Sequence, residues 1–513
     1  MNSPLLSTNG TIFLLFYLFS LIGIGLIGRF SRKNNSLADF YLAGRGMGFF
    51  VLFLTLYATQ YSGNTLIGFA GRAYRNGFTA LVTVTFMCSV IGAYYIFAPK
   101  LFRLSRKYKF ITIGDFIQYR YQSTPLTICV TVLSIIALGN YIITNLKAIG
   151  IIVETSTGGA VSFVNGIILL SFIMVIYETL GGMRSVAWTD MIQGVLLLFG
   201  VVFIFVLVQV HYGGLVSSQI KVNTDFWSPP NWSEKRLWFS TIIILFAGIS
   251  VYPHAIQRIY SAKDESSLKK SFQIMVFMPF VTTLFIVTVG IVGASQFPGI
   301  SGKDTEHITL LLLSDLSEKN PVVTPILVLF ISAAIAAIMS TVDSALLAIS
   351  SLSTQDIYRR IKPRSDEKTL TFLGKIFSWM IMALAAILAI HLPHTIWRLM
   401  EIKLELLCQI APAIILGIHI NKLNNQMILS GILSGTGVAL FIIGSNMVGL
   451  PIPAKPWGVH AGVWGLSINC LVVWILYMLS LIHISEPTRP ERIGVARRLL
   501  EKKKGGGGGG GGG

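Results

Sequence analysis

The chain has 513 residues, of which 53% are hydrophobic and only 12% are charged. A soluble domain carries about twice that charged fraction, so the composition excludes an ordinary soluble protein. The net charge of +18 would indicate a nucleic-acid partner for a soluble chain, but basic loops on one side of a membrane also explain it. We therefore expect the lipid bilayer as the surroundings, no nucleic acid, and no obligate protein partner.

Long apolar segments follow one another along the chain and predict an all-α, polytopic membrane protein. The first segment is not a signal peptide, because no basic residue precedes it and no cleavage site follows it. About thirteen spans are expected, near residues 11–28, 47–71, 77–99, 125–153, 160–179, 186–211, 237–257, 271–297, 321–353, 371–392, 396–420, 427–450 and 458–478.

Basic residues cluster in alternate loops, which predicts the orientation of the chain. They follow the first, third, seventh and ninth spans, for example at Arg29, Lys100, Arg258 and Arg359. Basic loops stay in the cytoplasm, so we expect a bacterial plasma (inner) membrane protein with its N-terminus outside and its C-terminus in the cytoplasm. The loop after the second span carries two arginines and breaks this rule.

The ninth predicted span begins as an apolar helix and then carries an acid and several hydroxyl side chains. Ala337, Ser340, Thr341 and Ser344 are spaced i, i+3, i+4 and i+7, so they share one helix face. Oxygen atoms so arranged suit a hard cation. Small and hydroxyl residues also pack membrane helices together, but Asp343 at the same level favours an ion site, because a buried acid needs a partner.

Two predicted spans carry helix-breaking residues in mid-membrane. The second reads YATQYSGNTLIG over residues 57–68, and the seventh reads AGISVYPHAIQ over residues 247–257. Glycine weakens a helix, proline removes a backbone hydrogen bond, and the freed groups are tolerated only beside protein or a cavity. Either break alone is compatible with an ordinary kink. Interrupted spans at corresponding places in two halves indicate an inverted-repeat transporter.

The motifs around these breaks resemble those of the sodium:solute symporter family, from about residue 39 to residue 477. The resemblance implies an all-α fold with a five-plus-five inverted-repeat, LeuT-like core and broken helices in spans 2 and 7. The motifs are DFYLAGRGMG (39–48), the SG pair of the second span, ITIGDFIQYRY (111–121), GGMRSVAWTDMIQG (181–194), YPH (252–254), and IMSTVDSALL with STQDIY (338–358).

Four segments are expected on this basis. Residues 1–46 form an N-terminal span and a cytoplasmic loop, residues 47–420 form the transport core, and residues 421–478 form two C-terminal spans. Residues 479–513 begin LSLIHISEPTR and end in nine glycines. The beginning matches a translated sequencing adaptor, so we expect this tail to be non-native and leave it out of the fold.

The resemblance implies that Na+ is the coupling ion and that it binds between the first and eighth core helices. By motif match, the carbonyl groups come from Ala58, Tyr61 and Ala337, and the hydroxyl groups from Ser340 and Thr341. The hydroxyl pair agrees with the helix face described above.

Some members of the family bind a second sodium ion lower on the eighth core helix. By motif match, the second set here is Asp190, Ser340, Asp343 and Ser344. Asp343 is an acid at a position where the similar sialic-acid carriers have a serine. The alternative for Asp343 is a proton-carrying or salt-bridged residue.

A substrate cavity is implied by position. Lys147 is an intramembrane cation and therefore a functional candidate, which either holds a substrate carboxylate or pairs with an acid such as Glu178 or Asp190. Gln60 stands where the similar proline carriers have an aspartate, so we do not expect this chain to be a proline carrier. The residues expected to line the cavity are Gln60, Ser62, Gly63, Asn64, Tyr141, Asn145, Lys147, Phe246, Ser250 and Tyr252.

The predicted function is secondary active transport, in which Na+ drives the uptake of a small carboxylate- or amino-acid-like solute by alternating access. The alternative is a symporter-like membrane sensor domain of a truncated histidine kinase, because YIITNLKAIG (141–150) resembles a stretch of such kinases. The intact SG and MST motifs favour transport. An enzyme is not expected, since the sequence shows no metal-ligand pair and no nucleophile–base motif.

Overall fold

The computed structural model describes residues 5–32, 36–221, 224–392, 396–447 and 450–485. Within these residues the regular structure is helical, apart from one isolated β-bridge between Met47 and Ala262. The expected non-native tail lies outside the described residues from residue 486 onward.

The first half of the described chain contains eleven α-helices, which bring the N-terminal span and the first broken span together with four long helices. They are α1 Thr8–Phe30, α2 Leu37–Leu42, α3 Phe49–Gln60, α4 Gly63–Leu66, α5 Gly68–Asn76, α6 Val82–Tyr108, α7 Ile113–Tyr121, α8 Thr124–Ser156, α9 Phe163–Gly181, α10 Met183–Tyr212 and α11 Gly214–Lys221.

The second half of the described chain contains twelve α-helices and includes the second broken span. They are α12 Trp232–Ser250, α13 Pro253–Ser261, α14 Glu265–Met275, α15 Leu284–Gln296, α16 Ile308–Lys319, α17 Thr324–Ser351, α18 Arg359–Ile361, α19 Glu367–His391, α20 Ile396–Leu407, α21 Ala411–His419, α22 Asn425–Met447 and α23 Ala461–Ser485.

Among the described residues, eleven helical segments are long and apolar enough to cross a membrane, and one bent pair makes a twelfth. The count differs from the predicted thirteen at the second span, because that span is broken and only the short apolar helix α3 remains of its first half. The multi-pass, all-helical architecture is as predicted, and the thirteenth span stays a prediction.

Helix α17 is the centre of the bundle. Every residue from Phe330 to Ser351 is buried, and the helix packs against α3, α8, α9, α10, α13 and α19. A helix that is covered on all sides carries small and apolar residues around its whole circumference, which the run of alanines and isoleucines before Ser340 supplies. The few polar side chains of α17 must therefore meet protein partners or a ligand.

The second predicted span breaks after Gln60. Helix α3 ends there, Tyr61 has the extended dihedral angles φ −103° and ψ 96°, and α4 starts at Gly63. A Cβ atom on Gly63 would lie 2.1 Å from Cγ1 of Ile338, so only glycine allows the broken helix to approach α17 this closely.

The seventh predicted span breaks at Pro253. Helices α12 and α13 meet there at an angle of 51°, because proline at the first position of α13 donates no backbone hydrogen bond to α12. After the break, α13 packs against α3, α6 and α17. Arg258 was counted from the sequence as a cytoplasmic loop residue; that assignment is wrong, because its side chain is fully buried on α13.

Candidate functional site

The end of α3 leaves backbone oxygens free beside α17. The Tyr61 N–H bonds to the carbonyl of Tyr57 at 3.0 Å and the Thr65 N–H to that of Ser62 at 2.9 Å. No described residue donates a backbone hydrogen bond to the carbonyls of Ala58 or Tyr61, which is the usual state of the last carbonyls of a helix. Both residues are buried, so these oxygens need another partner.

Ser340 and Thr341 present hydroxyl oxygens on the fully buried face of α17. Ser340 donates its proton to Oδ1 of Asp190, and Thr341 donates its proton to the carbonyl of Ala337 at 3.0 Å. With the protons directed elsewhere, the lone pairs of both oxygens stay available to a cation. The hydroxyl of Tyr141 lies beside those of Thr341 and Ser62, and so joins this face to the broken span.

Asp190 is paired with Arg258, and neither side chain has any exposed surface. Nη2 of the guanidinium donates to Oδ2 of Asp190 at 2.7 Å and also to the Ser344 hydroxyl. Nε donates to Thr55 at 2.9 Å and Nη1 to the carbonyl of His254 at 3.0 Å. A buried ion pair persists only when its remaining donors and acceptors are also satisfied, and here the broken helix α13 supplies the cation.

Asp343 has different surroundings from the other members of the predicted second sodium set. Its Oδ2 accepts a hydrogen bond from the hydroxyl of Tyr177 on α9, and its Oδ1 has no partner among the described residues. The structure therefore brings Asp190, Ser340 and Ser344 together with Arg258, whereas the carboxylate of Asp343 bonds to a different helix.

A cavity of about 110 Å³ lies between the two broken spans, α8 and α20. Four of the predicted substrate residues line it: Gln60, Ser62, Tyr141 and Tyr252. The rest of its described lining is mainly apolar, with a few polar and basic groups: Leu56, Thr59, Thr65, Phe69, Arg72, Phe86, Met87, Tyr94, Leu237, Thr241, Ile244, Leu245, Ile249, His254, Ala255, Lys403, Leu404, Lys455 and His460.

Two tyrosines and a histidine form an aromatic group on one wall of the cavity. The rings of Tyr141 and Tyr252 are 5.7 Å apart, and that of His254 is 4.8 Å from Tyr252. The ammonium group of Lys403 lies 3.3 Å from the ring centroid of Tyr141 and 5.3 Å from that of Tyr252. Sequence reasoning identified both tyrosines and missed the lysine between them.

The remaining predicted substrate residues that the structure describes do not line the cavity; they are Gly63, Asn145, Lys147, Phe246 and Ser250. Gly63 packs against Ile338. Asn145 donates to the carbonyl of Tyr141 at 2.8 Å, and Ser250 donates to that of Phe246 at 2.6 Å. The side chain of Asn64 lies outside the described part of the structure.

Lys147 contacts the end of α19 instead of the cavity. Its ammonium group donates to the carbonyl of Leu392, which is one of the oxygens that a helix C-terminus leaves free. Neither acid considered as its partner is paired with it, since Asp190 holds Arg258 and Glu178 accepts a hydrogen bond from Ser378 at 3.3 Å.

The arginines of the loop after the second span, which break the charge rule, have identifiable places in the structure. Arg72 lines the cavity, and Arg75 donates to Thr305 and to the carbonyl of Gly302 at 3.4 Å. The exception to the charge rule therefore comes from residues that belong to the cavity and to a loop contact.

Two broken helices beside a cavity indicate a helical membrane transporter, since irregular backbone at membrane depth is tolerated only beside protein or a cavity. The model of the sodium:solute symporter family matches residues 40–435, so the chain belongs to this family. It is a sodium-coupled solute symporter, and Na+ is its coupling ion.

Known relatives are similar along most of their length. The chain is 27% identical to the sodium/pantothenate symporter of Haemophilus influenzae, over 83% of this chain and 88% of the relative. It is also 27% identical to the osmoregulated proline transporter OpuE of Bacillus subtilis, over 90% of this chain and 93% of the relative. These relatives are transporters and do not support the alternative of a sensor domain or an enzyme.

Solved structures share the fold. A Na+-coupled sialic acid symporter in a substrate-bound outward-open state matches with a TM-score of 0.76 and 20% identity, over 92% of this chain and 98% of that chain. Mhp1, a nucleobase-cation-symport-1 family transporter, matches with a TM-score of 0.54 and 13% identity, over 89% and 96%. The predicted all-helical, LeuT-like fold is thereby confirmed, while the five-plus-five inverted repeat and the thirteen spans stay predictions.

Proposed function

We propose that the chain carries a small carboxylate- or amino-acid-like solute into the cell together with Na+ by alternating access. Two observations support this most directly. Helix α3, which packs against α17, ends with the Ala58 and Tyr61 carbonyls, which accept no backbone hydrogen bond from the described residues. Helix α17 carries the buried hydroxyl groups of Ser340 and Thr341. Such a set of neutral oxygens suits an alkali cation, because it replaces part of the hydration shell without a permanent negative charge.

The sodium ligands in this proposal are the carbonyl oxygens of Ala58, Tyr61 and Ala337 and the hydroxyl oxygens of Ser340 and Thr341. An ion shared by α3 and α17 would hold the broken span against the central helix. Tyr141 would transmit this order to the cavity, because its hydroxyl lies beside Thr341 and its ring lines the wall. A solute that prefers the ordered cavity then binds more tightly when sodium is bound.

A second sodium ion at Asp190, Ser340, Asp343 and Ser344 belongs to this proposal only for a conformation in which Arg258 has left Asp190. In the arrangement described above, a guanidinium group already neutralises the carboxylate, and a sodium ion beside it would meet a like charge. We therefore propose one sodium ion for the conformation of the structure.

The sodium gradient would drive uptake, and the membrane potential would add to it only when the solute has no net charge, because one Na+ and one carboxylate anion together move no net charge. Each inward charge contributes about 2.3 kcal/mol per 100 mV, and each tenfold concentration ratio contributes about 1.4 kcal/mol. One sodium ion can thus support an accumulation on the order of a hundredfold or more for a zwitterionic solute, but only about tenfold per tenfold sodium ratio for a carboxylate anion.

The membrane arrangement proposed here is a bacterial plasma membrane with the N-terminus outside. Residues 1–46 would form the first span and its loop, 47–420 the transport core, and 421–478 two peripheral spans. The segment from residue 479 is proposed to be non-native.

The test of this function compares thermal unfolding of the purified chain in NaCl and in choline chloride at equal ionic strength. A ligand that binds only the folded state raises its stability by mass action, so we expect a higher melting temperature in NaCl. Thr341→Ala should weaken the apparent sodium affinity about tenfold or more, since a lost ligand oxygen costs about 1.4 kcal/mol or more.

Thr288→Ala is the matched control. Thr288 is also buried, and its hydroxyl makes the same hydrogen bond to the carbonyl four residues earlier, that of Leu284, at 2.9 Å, but it lies on α15. This variant should keep the sodium response of the wild-type chain. Equal melting temperatures in the two salts, or an unchanged sodium affinity in Thr341→Ala, would contradict the proposal.

A further inference from the structure

Lys403 is a buried cation without a counter-charge among the described residues. Its side chain is on α20 and is 2% exposed, and no described residue forms a hydrogen bond or an ion pair with it. Its contacts are the faces of Tyr141 and Tyr252. An aromatic face attracts a cation but leaves the three N–H donors of an ammonium group unsatisfied.

Other unsatisfied polar atoms belong to the lining of the same cavity. Nε2 of Gln60, at the break of the second span, has no hydrogen-bond partner among the described residues. Nδ1 of His254, just after the break of the seventh span, has none either. Buried polar atoms are rarely left unpaired. The ammonium group of Lys403 and Nε2 of Gln60 are donors, so these two groups beside one cavity indicate a ligand with acceptor oxygens, and the His254 imidazole can donate or accept.

Among the described residues that line the cavity, the charged side chains are basic. Arg72, Lys403 and Lys455 belong to its lining, and no aspartate or glutamate does among the described residues. Glu405 is close in sequence, but it faces His460 at 4.0 Å and does not line the cavity. Charges of one sign in a low-dielectric cleft raise the local concentration of the opposite ion.

We infer that Lys403 binds the carboxylate of a small organic anion that carries no ammonium group. An amino acid would bring an ammonium group beside Lys403, where the described lining offers no carboxylate to receive it and where the two tyrosine rings already face a cation. The apolar remainder of the wall fits the carbon skeleton of an organic anion better than an inorganic one. This inference rests on the proposed function and narrows its solute from a carboxylate or an amino acid to a carboxylate alone.

The test measures solute binding by the melting temperature of the full chain, purified in detergent with NaCl present. The probes are propionate, lactate, pyruvate and succinate as choline salts, with alanine, proline and choline sulfate beside them. Lactate and alanine form a matched pair, because lactate carries a hydroxyl group on the carbon atom where alanine carries an ammonium group. The variants are Lys403→Met, Lys403→Arg and, as a control for a buried lysine away from the cavity, Lys147→Met.

We expect at least one carboxylate to raise the melting temperature of the wild-type chain, and lactate to do so more than alanine. The dissociation constant for that carboxylate should rise tenfold or more in Lys403→Met, less in Lys403→Arg, and stay unchanged in Lys147→Met. The inference would be overturned if no carboxylate acted on the wild-type chain, if alanine or sulfate acted as strongly, or if Lys403→Met kept the wild-type affinity.

The sodium response without solute separates this inference from the proposed function. A melting temperature that rises in NaCl, both in the wild-type chain and in Lys403→Met, would uphold the sodium site whatever the carboxylates do. Loss of the carboxylate effect alone in Lys403→Met would then assign the anion site to this residue. A wild-type chain that responds to sodium but to none of the carboxylates would overturn the inference alone.

Discussion

Arg258 and Lys403 are both basic residues buried in the membrane core, but their surroundings differ. Arg258 donates hydrogen bonds to a carboxylate, two hydroxyl groups and a backbone carbonyl. Lys403 contacts two aromatic faces, and no described residue accepts a hydrogen bond from it. The first cation is fully satisfied by the protein, whereas the second has donors available to a solute.

This difference separates a cation that holds helices together from one that can receive a ligand. The pairing of Arg258 joins α13, after the second break, to α3, α10 and α17, and so fixes the half of the broken span that follows Pro253. The ammonium group of Lys403 has unsatisfied hydrogen-bond donors beside a cavity. Such donors lower the stability of a folded protein, and exceptions of this kind are expected at functional sites.

The largest effect is expected for Arg258→Met. The change leaves the carboxylate of Asp190 buried without its counter-ion, which typically costs about 3–5 kcal/mol. The measurement is the free energy of unfolding of the purified variant, or its yield of folded protein if it is too unstable to purify. In the double variant Arg258→Met with Asp190→Asn, part of this loss should be recovered, because no unpaired charge remains. A single variant as stable as the wild-type chain would contradict the structural role of Arg258.

An intermediate effect is expected for Lys147→Met, since this third buried basic residue has a backbone partner. Its hydrogen bond to the Leu392 carbonyl is charge-assisted, and its loss should cost about 1.5–3 kcal/mol. The free energy of unfolding measures the loss, and sodium and carboxylate binding should not change. Weakened carboxylate binding in this variant would instead return the anion site to the position first predicted from the sequence.

A small effect of opposite sign is expected for Lys403→Met without solute. Replacing an unpaired buried cation by an apolar side chain of similar length removes a desolvation cost, so the variant should be more stable than the wild-type chain by roughly 1 kcal/mol. Thermal unfolding in NaCl without any carboxylate measures the difference. A clear destabilisation would show that Lys403, like Arg258, is a structural cation.

The smallest effect is expected far from both cations. Asn231 caps α12, because its side-chain oxygen accepts a hydrogen bond from the Glu234 N–H at 3.0 Å. In turn, the Asn231 N–H donates to the Glu234 carboxylate at 2.8 Å. Asn231→Ala should cost about 1 kcal/mol or less and leave both ligands unaffected. If binding changed as much as in the cavity variants, the comparison of the two cations would lose its meaning, because any loss of stability would then weaken binding.

The sequence predicted the parts of the site that depend on local pattern. The helix face with Ser340 and Thr341 follows from spacing, and the breaks at Gln60 and Pro253 follow from glycine and proline at membrane depth. Tyr141 and Tyr252 came from the family resemblance, and the structure brings both to one cavity wall.

The two buried cations could not be predicted in the same way, because their roles depend on which distant helices meet. Arg258 follows an apolar run and reads as a loop residue until the bend at Pro253 turns α13 into the core. Lys403 stands among the mixed charges of Arg398, Glu401 and Glu405, which predict local pairing. Only the packing of α20 against α8 and α12 brings it to the cavity.

The most direct test of the account is whether the two ligands bind cooperatively. Equilibrium binding of ²²Na⁺ to the purified chain would be measured with and without the carboxylate that raises the melting temperature most, added as its choline salt. The carboxylate should tighten sodium binding in the wild-type chain and not in Lys403→Met. The factor should equal the one by which sodium tightens carboxylate binding. Sodium affinity that is identical with and without the carboxylate would contradict coupled transport by these two sites.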